Sequence, residues 1–459
     1  MDIIPNKLGE EERRCGVKKV DFEDALVLAG HGRFHYLLFV TCGLCMMTVI
    51  MEMLDIGYLL PAAHCDLGLS TQDKGTLNAM VFAGMIASSQ LWGFIADTNG
   101  RRKVLIFTLL INCCCTIASS FANDLWVLVL FRFLNGVFIC GPSAVIYAYM
   151  GEFHTGLTRS KAIIWSCCFV SLGTIALPGL AWVIIPQPWR VQLPWCTYSS
   201  WRVFLVVCSI PGLITAILLG VFLPESPRFL YSQGRYDETL AVLRRIFSIN
   251  TSCPPQQYPL IELSADPDQT LVKSNNRSVK CLIESMCGQT RSLFSAPHVV
   301  NLIHICALQF GLFSCANGLI LWMPDLFSQL YVDYALHPED QRTICQVVQR
   351  GLMASNQTSD TGLDCTNTVD AGVYQNTLII GGVGMMAYII NGYFIDSVGR
   401  RNILVINLVT SGTAGIGLYF VRSPGQVLSL ACVFLALSST CISVVSTAAI
   451  ELFPTHLRY

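Results

Sequence analysis

Apolar residues in this chain fall into ten long runs, near 34–60, 75–97, 103–122, 125–150, 161–185, 201–223, 298–323, 371–395, 402–421 and 426–453. Crossing about 30 Å of hydrocarbon takes roughly 20 helical residues, and each run is long enough. No alternating strand pattern interrupts them, and a helix pairs its own backbone groups in lipid. The expectation is an all-α polytopic membrane protein with about ten transmembrane helices. Residues 1–33 form a polar N-terminal segment in which Asp21 to Ala29 predicts a short helix, ended by Gly30 and Gly32. Six spans over 34–223 are joined to four over 298–459 by a linker, 224–297. The linker predicts a helix from Tyr236 to Phe247, with Leu240, Leu243 and Phe247 on one face, and then turns polar. A second long loop occupies 325–370.

Composition agrees with the spans. The chain is 53% hydrophobic and only 13% charged, too little polar surface to clothe a soluble globule of 459 residues. A net charge of −1 argues against a nucleic-acid partner. No phosphate-cradling loop, metal-spaced Cys/His set or nucleophile–base pair is legible, so neither a cofactor nor enzyme activity is expected. The 21 cysteines lie mostly inside apolar runs, as in Cys113 to Cys115, where a thiol behaves as a small hydrophobe. The eight histidines are scattered, and His304 reads as packed or cavity-lining rather than as a ligand.

One polar motif is repeated. Gly93 to Arg102 reads G-x-x-x-D-x-x-G-R-R, and Gly392 to Arg401 reads the same, each between two apolar runs. Glu152 and Arg159 are echoed by Glu451 and Arg458 at an identical offset, so the register survives two further spans. That is the mark of an internally duplicated secondary transporter. Asp97 and Asp396 end the second and eighth spans. Each is followed by a glycine, Gly100 or Gly399, that permits a tight reversal, and by two arginines, Arg101 and Arg102 or Arg400 and Arg401. A carboxylate there can meet the positive N-terminus of a neighbouring helix and latch one half against the other. Positive-inside topology alone explains the arginines but not the matched Asp and Gly.

Lys and Arg concentrate on the side of the N-terminus, which places that terminus in the cytoplasm. On this topology Asn250 and Asn276 are cytosolic, and Asn356 is the acceptor expected to carry glycan. Cys345 and Cys365 share the exoplasmic loop and form a candidate disulfide, with Cys65 and Cys196 also exoplasmic and the connectivity open.

Charges inside spans are expensive and are functional suspects by default. Glu52 and Asp55 lie on one face of the first helix, and Arg132 lies in the fourth. Counting rise from the outer ends puts Glu52 about 15 Å and Arg132 about 10 Å deep. The expectation is that Glu52 and Arg132 face each other across a polar cavity, with Asp55 nearer the outer mouth. The bland alternative is an ion pair that only fixes helix packing.

These motifs resemble the major facilitator superfamily, whose signature between helices 2 and 3 recurs between helices 8 and 9. Pro224-Glu225-Ser226-Pro227-Arg228 is similar to the segment after helix 6 in sugar porters and organic-ion transporters. The lead Asp21 to Ala25 through Gly32 to Phe34, Glu52 to Pro61, Ser200 to Phe204 and Trp322 to Asp325 look most like the synaptic vesicle glycoprotein 2 family. The resemblance implies two pseudo-symmetric six-helix halves, with helices 1, 4, 7 and 10 lining a central cavity. Glu52, Asp55, Arg132 and Trp322 then become pathway candidates. Asp97, Arg101 and Glu152, with Asp396, Arg400 and Glu451, become a conformational lock. Three departures stand out. The loop at 325–370 is far shorter than the family's lumenal domain and has no five-residue repeat. Val49 stands where the family has an Asp three residues before the Glu. The chain also stops at Tyr459, where the superfamily continues through helices 11 and 12, so a fragment of a longer protein is expected.

The leading expectation is a secondary active or facilitative transporter of a small organic solute, with or without a coupling proton or ion, in a vesicle or plasma membrane. Two others stay open: a non-transporting vesicle membrane protein with a trafficking or regulatory role, and an organic-ion or sugar transporter.

Overall fold

The computed structural model describes residues 20–192, 194, 197–260, 262–264, 294, 299–336, 343–357 and 371–452. Within them the helices are α1 (Phe22–Leu28), α2 (Arg33–Leu67), α3 (Thr71–Asn99), α4 (Arg101–Ser119), α5 (Leu125–Gly151), α6 (Gly156–Ser166), α7 (Cys168–Ile184) and α8 (Ser200–Val221). There follow α9 (Pro227–Ser232), α10 (Tyr236–Thr251), α11 (Val299–Leu336), α12 (Ile344–Gln357), α13 (Ala371–Val398), α14 (Arg400–Gly417) and α15 (Pro424–Leu452). A two-stranded hairpin, β1 (Arg190–Gln192) with β2 (Thr197–Ser199), joins α7 to α8.

Among the described residues nine helical segments are apolar and long enough to cross a membrane. The shorter α14, which opens on two arginines, stands ninth in chain order, brings the spans to ten and packs against α15. The fifth span runs over Lys161–Ile184, close to the expected 161–185, with a single turn residue at Cys167 between α6 and α7. One expectation needs correction. The loop expected from 325 begins instead as helix, because α11 continues through Pro324 to Leu336, and the amphipathic α12 follows. A proline inside a membrane helix is tolerated where neighbours re-satisfy the freed backbone group, so Pro324 did not mark an end.

Sequence dictates how closely the first helices pack. A Cβ on Gly84 of α3 would stand 2.2 Å from Phe133 O, and one on Gly136 of α5 would stand 2.0 Å from Val81 O. Only glycine lets these backbones touch, the small-residue contact that drives association where lipid offers no hydrophobic gain. Trp92 Nε1 donates to Val137 O at 2.6 Å across the same crossing. The first six spans meet the last four along α7 with α13 and α2 with α11. Glycine recurs on that seam: a Cβ on Gly381 would lie 2.8 Å from Ile175 Cγ1, and one on Gly57 would lie 3.2 Å from Leu321 O.

The polar lead is docked. Leu240, Leu243 and Ile246 of α10 are buried in the same core cluster as Phe22, Ala25 and Phe34. Tyr258 donates to Ala25 O at 2.6 Å, and Asn250 Nδ2 donates to Gly30 O at 2.8 Å while its Oδ1 accepts from Phe34 N at 3.0 Å. Asn250 heads one of the glycan acceptor motifs judged cytosolic, and here its amide ties the linker to the start of α2.

Candidate functional site

The charged side chains Glu52, Asp55 and Arg132, buried among the first six spans, gather with polar ones on α2, α4 and α5. Arg132 Nη1 donates to both oxygens of Asp55, at 2.8 and 2.9 Å, and both side chains are fully buried. This corrects the expected pairing of Arg132 with Glu52. Glu52 instead accepts from Thr116 Oγ1 at 2.8 Å, and Asn135 Nδ2 donates to the same hydroxyl at 3.1 Å. Five buried polar atoms here, on four residues, have no hydrogen-bond partner among the described residues: Glu52 Oε1, Arg132 Nε and Nη2, Asn112 Oδ1 and Asn135 Oδ1. Buried polar groups are nearly always paired, so the open oxygens suit a proton, a small cation or water, and the open Arg132 donors suit water. Asn112, Thr116 and Asn135 were missed from sequence, although the signal was present. Asn112 and Thr116 stand four apart and Arg132 and Asn135 three apart, each pair on one helical face.

A cavity of about 50 Å³ lies beside this network, between the two sets of spans. Leu54 and Tyr58 of α2, Thr174 of α7, Met323 of α11, Thr377 and Tyr388 of α13 and Ser439 of α15 line it. Tyr388 donates to Ser439 O at 2.9 Å. None of Glu52, Asp55, Arg132 and Trp322 is on this lining. The three charged residues are buried, Asp55 following the lining residue Leu54 in α2, and Trp322 is 39% exposed. At the end of the bundle bearing the hairpin, Lys74 Nζ of α3 lies 3.8 Å from Asp325 Oδ1 of α11, so an ion pair joins the two sets of spans there.

At the opposite end the first signature copy closes on itself. Arg101 Nη2 reaches Asp97 Oδ1 at 2.8 Å and Glu152 Oε1 at 3.2 Å, and its guanidinium lies over the Phe229 ring, 5.0 Å from the centroid. Burial pushes the Glu152 carboxyl above its ordinary range, and Arg101 pulls it back. Arg102 donates from Nε to Leu219 O at 2.9 Å, and its backbone N–H donates to Glu225 Oε1 at 2.9 Å. Glu225 therefore caps α4 in trans, a carboxylate at a helix N-terminus. Arg159 Nε donates to Gly151 O at 2.9 Å, and Arg228 Nη1 donates to Glu23 Oε1 at 3.0 Å. The roles of Glu225, Phe229 and Glu23 were not legible from spacing, because they come from the linker and the lead. The second copy is matched in its backbone: Gly399 turns α13 into α14 as Gly100 turns α3 into α4. The side chains of Asp396, Glu451, Asn356 and Cys65 lie outside the described residues, as do Arg458, Cys365 and Cys196, while Cys345 is exposed.

The histidines are less scattered than the sequence suggested. His31, His35 and His154 meet at the signature end of α2. Burial lowers the pKa of His154, whose Nδ1 lies 2.9 Å from Met150 O. His304 is exposed at the start of α11.

Synaptic vesicle glycoprotein 2A of Rattus norvegicus is 32% identical over 351 residues, 72% of this chain and 47% of that protein. Synaptic vesicle glycoprotein 2C of the same species is 30% identical over 347 residues, 71% and 48%. The chain thus spans about half the length of the curated relatives it matches. Among solved structures, the xylose transporter XylE of E. coli in an inward-open conformation superposes with a TM-score of 0.62 at 15% identity, covering 92% of this chain and 84% of that one. A bacterial homologue of the human lysosomal transporter Spinster, also inward-facing, gives 0.58 at 12% identity, covering 94% and 78%. The Major Facilitator Superfamily model matches residues 37–458, most of the chain, and with the duplicated signature and the ten-span bundle it places this protein in that superfamily.

Proposed function

We propose that the protein carries a small, uncharged organic solute across a vesicle or plasma membrane by alternating access, with its N-terminus in the cytoplasm. The observation that carries this reading is the buried Asp55–Arg132 pair, with the half-satisfied Glu52 beside it and with Asp55 next in the chain to Leu54, which lines a cavity between the two sets of spans. The side chains lining that cavity are apolar or hydroxyl-bearing, with no charge among them. Such a wall suits a neutral hydroxylated solute better than an organic ion.

The charged network is the coupling element. A carboxylate and guanidinium buried together are held by each other, and a proton or cation arriving at Asp55 or Glu52 weakens that hold. A change of charge next to the cavity wall then biases the packing of α2 against α11. XylE is described as a proton:xylose symporter, and proton coupling of a sugar-like solute is the specific form this reading takes here. Lys74 with Asp325, and Arg101 with Asp97 and Glu152, are the charge clusters at the two ends of the bundle that such a cycle would break and remake.

The test is uptake by the full chain in liposomes, with pentoses, hexoses, organic cations and organic anions offered with and without an inward pH gradient. Gradient-stimulated uptake of a neutral hydroxylated solute, reduced in Asp55→Asn, is the expected result. Uptake of none of them by correctly inserted protein would favour a non-transporting membrane role.

A further inference from the structure

Three histidines at the signature end have no part in the transport reading. Each of His31, His35 and His154 offers one ring nitrogen, and these nitrogens all lie within 4.8 Å of one another. The His35 ring centroid is 4.2 Å from that of His31 and 5.1 Å from that of His154. His35 and His154 are buried, at 6% and 4% exposure, and His31 is open to solvent.

Two of the rings are oriented by backbone carbonyls. His154 Nδ1 stands 2.9 Å from Met150 O and His35 Nε2 stands 3.3 Å from Phe153 O. A carbonyl only accepts, so each of those nitrogens carries the proton and the other nitrogen of each ring keeps its lone pair. This is how proteins fix the tautomer of an imidazole that binds metal. At His35 the remaining nitrogen, Nδ1, is buried and has no hydrogen-bond partner among the described residues. The Asn250 amide acts on this ring electrostatically but makes no hydrogen bond of normal geometry to Nδ1, and a buried acceptor so placed points to a ligand.

We propose that His31, His35 and His154 bind a first-row divalent cation, Zn²⁺ by preference, which staples the turn before α2 to the segment after α5. Neutral imidazoles suit zinc, copper and nickel rather than calcium or magnesium. Three histidines plus water complete a tetrahedron of the open kind. Zn–N bonds of about 2.0–2.1 Å set tetrahedral ligand atoms about 3.3 Å apart, so ring nitrogens now up to 4.8 Å apart close by up to about 1.5 Å on binding. His31 has the freedom to do this, being exposed and next to Gly30, whose φ is 70°. Arg159 is the cation felt at His154 and opposes the ion. Its own guanidinium is held by Gly151 O and lies 3.9 Å from Glu23, which offsets part of that charge.

The full chain, purified in detergent with a tag free of histidine, is titrated with Zn²⁺ against a chromophoric chelator, and with Co²⁺ by visible absorption. One equivalent bound, with the ligand-field bands of tetrahedral Co²⁺ and a melting temperature raised by Zn²⁺, is expected. His31→Gln, at an exposed position, leaves the fold intact. It should weaken binding by at least the roughly 10–100-fold that loss of an outer-shell partner costs. His154→Gln should abolish the Co²⁺ bands. Failure of the parent to bind near-stoichiometric metal, or equal affinity in the parent and His31→Gln, overturns the site.

Discussion

Gly100 and Gly399 hold nearly the same backbone conformation, φ 103°, ψ 146° and φ 87°, ψ 143°, each as the residue that ends one helix and starts the next. The repeated signature is thus a repeated turn, in a region that L side chains rarely adopt. The surroundings differ. A Cβ on Gly100 would lie 2.5 Å from Glu225 Oε2, and one on Gly399 would meet nothing within 4 Å.

Alanine at these two positions therefore separates strain from crowding. Gly399→Ala should cost only the backbone term, about 1–3 kcal/mol. Gly100→Ala should cost more, because it also displaces the carboxylate that caps α4. Thermal unfolding of both variants in detergent makes the comparison, and equal losses would refute the capping role.

Removing Asp55 alone leaves a fully buried guanidinium without its counter-charge. Asp55→Asn should destabilise by about 3–5 kcal/mol, and Asp55→Asn with Arg132→Gln should recover part of that. The double variant should remain folded and show no gradient-stimulated uptake. Stability and uptake measured side by side distinguish a coupling pair from one that only fixes packing.

Glu52→Gln keeps an oxygen to accept from Thr116, so stability should change by less than about 1 kcal/mol. Its uptake should lose dependence on external pH between the acidic and neutral range while the neutral-pH rate survives. A pH profile superimposable on the parent's would exclude Glu52 from coupling.

Lys74 and Asp325 are partly exposed, and their pair is worth about 0.2–1 kcal/mol. That is small for stability but enough to shift a balanced two-state equilibrium several-fold. Lys74→Asp should raise the reactivity of a cysteine placed in the cavity wall toward a reagent added from the hairpin side. The exchange Lys74→Asp with Asp325→Lys should restore the parent's reactivity.

Asn356 is the single-site test of orientation. Endoglycosidase should shift the parent on a gel and leave Asn356→Gln unmoved. An equal shift in both would reverse the assignment of sides.

Much of this was open to reading in the residues, for physical reasons. Ten apolar runs announce ten spans, since lipid leaves helices little alternative. The amphipathic face of α10 was equally plain, with Leu240 and Leu243 buried as their spacing implies. The partner of Arg132 was not legible. Glu52 and Asp55 are less than one helical turn apart, about 4.5 Å of rise, and depth counted from uncertain helix ends cannot choose between them. The overrun of α11 was hidden because Pro324 and Asp325 resemble a helix stop. His154 is far along the chain from His31 and His35, so only the docking of α5 against α2 could bring the three rings together.

The glycines on α3 and α5 and those on the seam differ in what accompanies them. Where Gly84 meets Gly136, the indole of Trp92 is bonded across the same crossing, a directional tie that breaks if the helices slide. Gly57 and Gly381 face Leu321 and Ile175 through bare van der Waals contact, which changes little over small sideways displacements. The bundle is thereby divided into a bolted block and a plain bearing by a single residue type, and an added methyl at Gly381 would act on the second as grit does, seizing movement while leaving the block intact.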